Sequence, residues 1–70
     1  MQILMTFEKT MSLRMERAID RAVKAVDTDA FCHGGDQHTA AHIGYDDSTV
    51  DQATRRAVVS AAKQAKKNFT

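Results

Sequence analysis

The chain has 70 residues, 43% of them hydrophobic, with one cysteine, no proline and a net charge of +1. This length fits a single domain, residues 1–70. A lone cysteine excludes an internal disulfide and is typical of a reducing compartment, and no apolar run approaches the ~20 residues of a membrane-spanning helix. We therefore expect a cytoplasmic protein without a membrane segment. Because so short a chain buries few large apolar side chains, we also predict a homodimer.

The charges are separated along the chain. Residues 1–26 sum to +2, residues 27–54 contain six aspartates and no lysine or arginine, and residues 55–70 sum to +5 with no acidic residue. This order of basic, acidic and basic segments predicts surfaces that steer and orient a charged partner.

Hydrophobic periodicity predicts an all-α fold with three helices, long, short and long. Apolar residues spaced by three and four predict the first helix over residues 6–26, and residues 3–7 fit either its first turn or a short strand, with the helix favoured. Gly34 and Gly35 then predict a break. A short helix is expected over residues 36–43, with Asp36 as its N-cap and Gly44 just after its end. The last helix is expected over residues 49–68, capped by Asp47 or Ser48.

Basic side chains recur at three-and-four spacing along the first helix, and two adjacent arginines stand near the start of the last helix. They are Arg14, Arg17, Arg21 and Lys24, followed by Arg55 and Arg56. Such a stripe can be a solvated face, or a contact surface for phosphates or for an acidic protein patch.

The second half of the chain resembles the helix-turn-helix of bacterial and phage regulators. The pattern consists of Ala40, Ile43, Gly44, Tyr45, Val50 and Ala53, with Ser48 and Thr49 at the entry to the second helix. In that family the second helix lies in the major groove of DNA. The resemblance implies that the residues facing DNA are Asp47, Ser48, Thr49, Asp51, Gln52 and Arg55. Asp47 and Asp51 on that surface, with Asp46 next to them, oppose phosphate binding, so the sequence also allows the shape without the DNA.

A second cluster combines Cys32, His33, Asp36, His38 and His42. On a helix, His38 and His42 are one turn apart, which is the spacing of two zinc ligands, and Cys32 could be a third. Structural zinc sites usually have at least two thiolates, which this chain lacks. The alternative is that the histidines are exposed and that Cys32 fills the core. We expect no metal and no cofactor.

No nucleophile and base, phosphate loop or paired carboxylates are recognisable, so we do not expect an enzyme. The sequence favours a small regulatory or inhibitory protein, of the kind that phages and plasmids encode, that binds a partner protein. The expected contact surface is acidic and aromatic, formed by Tyr45, Asp46, Asp47 and Asp51, with the basic stripe as a second contact. DNA binding through the helix-turn-helix is the alternative, and a zinc-binding module through Cys32, His38 and His42 is a minor one.

Overall fold

The structure, a computed structural model, describes residues 2–7, 11–34, 40–45 and 50–69. In chain order it contains strand β1 (Gln2–Thr6), helix α1 (Leu13–Val26), strand β2 (Ala30–His33), strand β3 (His42–Tyr45) and helix α2 (Gln52–Asn68). The described part of the chain is therefore an α+β arrangement of two helices and three strands. The prediction of an all-α fold with three helices is wrong.

The three strands form one antiparallel sheet in the order β1-β3-β2. Strand β3 pairs antiparallel with both neighbours, so the edge strands β1 and β2 run parallel to each other. Helix α1 thus connects the two edge strands and leaves between them the gap that β3 fills. This order of elements begins a split β-α-β topology. The pairing of β1 with β3 shifts register between Ile3 and Met5, which makes Leu4 the extra residue of a bulge.

The two helices pack against each other and against one face of the sheet, and the core lies between these two layers. Side chains alternate along each strand, so Cys32 in β2 and Ile43 in β3 point to the helices and are buried. The buried apolar residues are Phe7, Ile19, Val23, Ala30, Cys32, Ala41, Ile43, Tyr45, Val58 and Ala62. The opposite side of the sheet, which we call the open face, consists of Ile3, Thr6, Phe31, His33, His42 and Gly44.

Each helix begins where a side chain accepts a backbone N–H of the first turn. The Ser12 hydroxyl accepts from the Met15 N–H at 3.2 Å, and the Asp51 carboxylate accepts from the Thr54 N–H at 2.7 Å. These caps satisfy donors that have no partner within the helix. The first helix therefore starts at Leu13, and not at residue 6. The expected caps of the last helix, Asp47 or Ser48, lie outside the described residues. The helix itself begins at Gln52 with Asp51 as its cap, and not at residue 49.

The short middle helix predicted for residues 36–43 is wrong at its described end, because its last two residues belong to strand β3. Residues 35–39 lie outside the described part of the chain. Gly44 does not end a helix either, since it lies within β3 between Ile3 and Phe31 and its φ is not positive. A helix this short is marginal, whereas β3 gains hydrogen-bonding neighbours on both sides.

The outer edge of β2 is capped by side chains of α1. The Asp20 carboxylate accepts from the Cys32 N–H at 2.9 Å, and the Lys24 ammonium donates to the Ala30 carbonyl at 3.1 Å and to Asp20 at 2.7 Å. Burial raises the pKa of Asp20, but the hydrogen bonds from Lys24 and Cys32 outweigh it, so the pKa is lowered. These contacts satisfy backbone groups that β3 cannot reach and attach α1 to the sheet.

Candidate binding groove

A groove of 770 Å³ runs along the outer side of α2. Its lining consists of Val50, Gln52, Arg55, Arg56, Val59, Ser60, Lys63, Gln64 and Lys67. The α2 members are spaced by three and four residues, so they share one face of the helix over about four turns. The other side of α2 buries Val58 and Ala62 in the core. One helix thus serves as both a core element and the wall of the groove.

The groove is strongly positive. Its charged side chains are Arg55, Arg56, Lys63 and Lys67, and no acidic residue lines it among those described. Within the described ranges, Arg56, Lys63 and Lys67 form no ion pair, and all three are exposed. Arg55 is half-buried and its Nε donates to the Val50 carbonyl at 3.1 Å. An anionic partner would therefore meet cations along the whole length of the groove.

The groove is also partly apolar. Val50 and Val59 are half-buried, and Val50 packs against the core. Ser60, Gln52 and Gln64 add a hydroxyl and two amides, and no imidazole or carboxylate that could activate Ser60 lines the groove among the described residues. The lining therefore offers charge attraction, apolar contact and neutral hydrogen bonding to a bound partner.

The predicted basic stripe is divided between the two helices. Arg14, Arg17 and Arg21 are exposed on α1, on the side away from the buried Ile19. Lys24 donates hydrogen bonds to the Asp20 carboxylate and to the Ala30 carbonyl at the edge of β2. The remaining two members of the stripe, at positions 55 and 56, line the groove on α2. The structure does not bring all six together on one helix face.

The predicted acidic and aromatic surface is not formed around Tyr45. This side chain is 0% exposed, faces the helices, and donates from its hydroxyl to the Thr54 carbonyl at 3.3 Å. Burial raises the pKa of Tyr45. Tyr45 is therefore a core residue and cannot be an exposed anchor. Asp51 is exposed but caps α2, and the hydrogen bond from the Thr54 N–H lowers its pKa. Asp46 and Asp47 lie outside the described residues.

The helix-turn-helix arrangement is absent from the described chain. Ile43 and Gly44 belong to strand β3, and Ala40 precedes that strand outside any helix. The second helix of the predicted motif corresponds to α2, and Gln52 and Arg55 lie on its groove side. Without the first helix, these residues have no partner element to dock them in a major groove.

The predicted zinc ligands do not converge either. Cys32 points to the core, whereas His42 points to the open face, so the sheet separates them. His42 is in a strand, which removes the helical spacing assumed for it and His38, a residue outside the described part. Burial raises the pKa of the Cys32 thiol to about 11, which disfavours the thiolate that binds zinc. Within the described ranges, no three acidic, cysteine or histidine side chains cluster as a metal site.

Sequence reasoning missed much of the groove. The residues that the sequence analysis did not single out are Val59, Ser60, Lys63, Gln64 and Lys67, although they continue the three-and-four spacing of Gln52, Arg55 and Arg56. The absence of acidic residues from positions 52–68 was the available signal, because a solvated helix face normally mixes charges of both signs.

No protein family, curated protein or solved structure matches this chain. No helix in the described residues is long and apolar enough to span a membrane.

Proposed function

We propose that this chain is a small non-enzymatic regulatory or inhibitory protein that binds an acidic segment of a partner protein in the groove along α2. The observation that supports this proposal is a groove whose described lining has four cations and no acidic residue around two half-buried valines. Cations attract and orient acidic side chains, and apolar surface at the centre of a contact supplies affinity. A cytoplasmic location, expected from the lone cysteine, is part of the proposal.

An acidic protein segment fits this lining better than a nucleic acid does. Phosphate binding depends on arginine and lysine and gains little from aliphatic side chains. Val50 and Val59 suit an apolar side chain, and the run of about four helical turns suits an amphipathic helix laid into a groove. Nucleic acid is the alternative occupant, supported by the same four cations.

The exposed arginines of α1 have a separate part in this proposal. Arg14, Arg17 and Arg21 add positive charge outside the groove. Exposed charges of this kind raise the rate of encounter with an anionic partner, and their effect falls with added salt. We therefore assign them to steering and not to the contact itself.

The test is the binding of a fluorescein-labelled peptide with glutamates on one helical face and leucines on the other, followed by fluorescence anisotropy. The test variant is Arg56→Glu/Lys63→Glu. At each of the two positions the variant loses one exposed ion pair and gains one repulsion, each worth about 0.5 kcal/mol. Binding is therefore expected to weaken roughly 10- to 30-fold.

The matched control is Arg14→Glu/Arg17→Glu, which changes the net charge equally on the other helix. The proposal expects its effect to be small in comparison and to vanish as salt rises from about 50 to about 200 mM. If both double variants lost the same peptide affinity at all salt concentrations, the affinity would depend only on the net charge of the protein. The groove assignment would then be wrong.

Val59→Ser separates a protein partner from a nucleic acid. Loss of an apolar contact should weaken the peptide, whereas random duplex or single-stranded DNA should bind this variant as it binds the wild type. If DNA binds more tightly than the peptide with a steep salt dependence, and Val59→Ser changes neither affinity, the protein-partner proposal fails in favour of nucleic acid.

A further inference from the structure

His33 and His42 face each other across two strands on the open face of the sheet. They are register partners in the pairing of β2 with β3, and their ring centroids are 5.7 Å apart at an angle of 49°. His33 is exposed and His42 is half-buried. Two imidazoles in one cross-strand pair, accessible from solvent, are thus present far from the groove side of α2.

The backbone fixes the spacing of this pair. The Cys32 N–H and the Ala30 carbonyl are bonded to α1 side chains at the outer edge of β2, so the alternate residue His33 directs its backbone groups to β3. His33 and His42 therefore form a hydrogen-bonded pair, whose Cα atoms are typically about 5.5 Å apart. The Cα atoms of the two residues cannot move apart without breaking the sheet.

This spacing matches what a shared metal ion requires. With metal–nitrogen bonds of about 2.0–2.1 Å, two imidazoles on one tetrahedral ion have ring centres roughly 5 Å apart. The observed separation of 5.7 Å exceeds this by an amount that small rotations about the side-chain torsions can close. Both rings would approach the metal ion from the same side of the sheet, where water molecules can serve as its remaining ligands.

A neighbouring aromatic ring restricts one of the two ligands. Phe31 meets the His42 ring edge-on, with centroids 6.3 Å apart and an interplanar angle of 81°. The Phe31 ring can lie across β3 because Gly44 has no side chain, as a Cβ there would be 2.8 Å from Phe31 Cζ. An ordered ring loses less conformational freedom when it binds an ion than a free one does.

We propose that His33 and His42 form a two-imidazole binding site for a divalent transition-metal ion, with solvent as the remaining ligands. Imidazole nitrogen selects Zn²⁺, Ni²⁺ and Cu²⁺, whereas Mg²⁺ and Ca²⁺ require oxygen ligands. The site differs from the Cys32, His38 and His42 set expected from the sequence, because Cys32 is on the other side of the sheet. Bound metal would join β2 to β3 directly.

The experiment titrates the full chain with Ni²⁺ and with Zn²⁺ and measures heat and stoichiometry. The wild type should bind one ion per chain, and His33→Asn and His42→Asn should each weaken binding about tenfold or more. His38→Asn is the matched control, since it removes the third histidine of the chain, and it should stay within about twofold of the wild type. Mg²⁺ should not bind.

A second measurement uses only the wild type and so does not depend on variants that fold. Substoichiometric Cu²⁺ should broaden the NMR signals of Phe31, His33 and His42 first and leave those of α2 sharp. Absence of saturable binding, binding retained by His33→Asn/His42→Asn, an equal loss in His38→Asn, or broadening centred elsewhere would each overturn the proposal.

Discussion

Replacing Gly44 by alanine tests the strand order at its centre. A Cβ at Gly44 would be 2.6 Å from the Gln2 carbonyl oxygen and 2.8 Å from Phe31 Cζ. The Phe31 ring can swing away, but the Gln2 carbonyl belongs to the backbone of β1, which pairs with β3. Either β1 moves outward or β3 bends, and overpacking of this kind costs about 1–3 kcal/mol of the free energy of unfolding.

The control is Gly34→Ala. Its Cβ would also be close to another atom, at 2.5 Å from Glu16 Oε2, but that atom is the end of a flexible side chain that can rotate toward solvent. Its effect should stay within about 0.5 kcal/mol. Urea unfolding followed by circular dichroism measures both variants, with an unchanged m-value as the check of two-state behaviour.

Asparagine at the same position separates the two interpretations of Gly44. At the end of a helix, Gly44→Asn is well tolerated, because asparagine readily adopts the left-handed conformation. In β3 it should destabilise at least as much as alanine, since it also has a Cβ. A neutral Gly44→Ala, or a Gly44→Asn that is markedly milder than Gly44→Ala, would refute the pairing of β1 with β3.

Three further predictions concern the edge contact, the core and the assembly. Asp20→Asn should lower stability at neutral pH, because folding lowers the pKa of Asp20. That contribution is present above the ordinary pKa near 4 and is lost as the pH falls from there through the lowered pKa of the folded state, so the pH–stability curves of the variant and the wild type should converge on the acidic side. Tyr45→Phe should lower the free energy of unfolding by about 0.5–1.5 kcal/mol because it loses the hydrogen bond to Thr54, and Tyr45→Ala should lower it by about 3–5 kcal/mol because it leaves a cavity. Thermal melts measure both variants, and a loss below about 1 kcal/mol for alanine would mean that Tyr45 is exposed. If the chain is a homodimer, its melting temperature should rise with protein concentration, and a constant value would exclude that assembly.

The two long helices were predictable because their apolar spacing is regular and long. Ile19 and Val23 in α1, and Val58 and Ala62 in α2, are buried as a helical period of 3.6 requires. The helix ends were not predictable to the residue, since a capping side chain decides them and several serines, threonines and aspartates compete at each start.

Strands β2 and β3 were missed, and β1 was only the less favoured alternative for residues 3–7, because the strands are four or five residues long. In so short a run, apolar residues at positions i and i+2 can also be assigned to a helix that begins one turn earlier in the chain. Ala30 and Cys32 are buried, and Ile43 and Tyr45 opposite them are buried too, which is a period of two on either side of two successive glycines in the sequence. That pair of alternating runs was the available signal of a hairpin.

The candidate sites depended on those missed strands. Once residues 42–45 form a strand, Tyr45 faces inward, and His42 loses its helical relation to His38 and gains a cross-strand relation to His33. The groove residues of α2, in contrast, follow a three-and-four spacing that is visible in the sequence at positions 52–67, so they did not depend on those strands.

The most direct test of the account is chemical-shift mapping of the ¹⁵N-labelled chain with the unlabelled acidic amphipathic peptide. The account predicts saturable shifts confined to the groove side of α2, centred on the amides of Arg56, Val59 and Lys63, with the open face of the sheet unaffected. Shifts spread over both helices without saturation, or centred on the open face, would contradict the claim that the groove is the binding site.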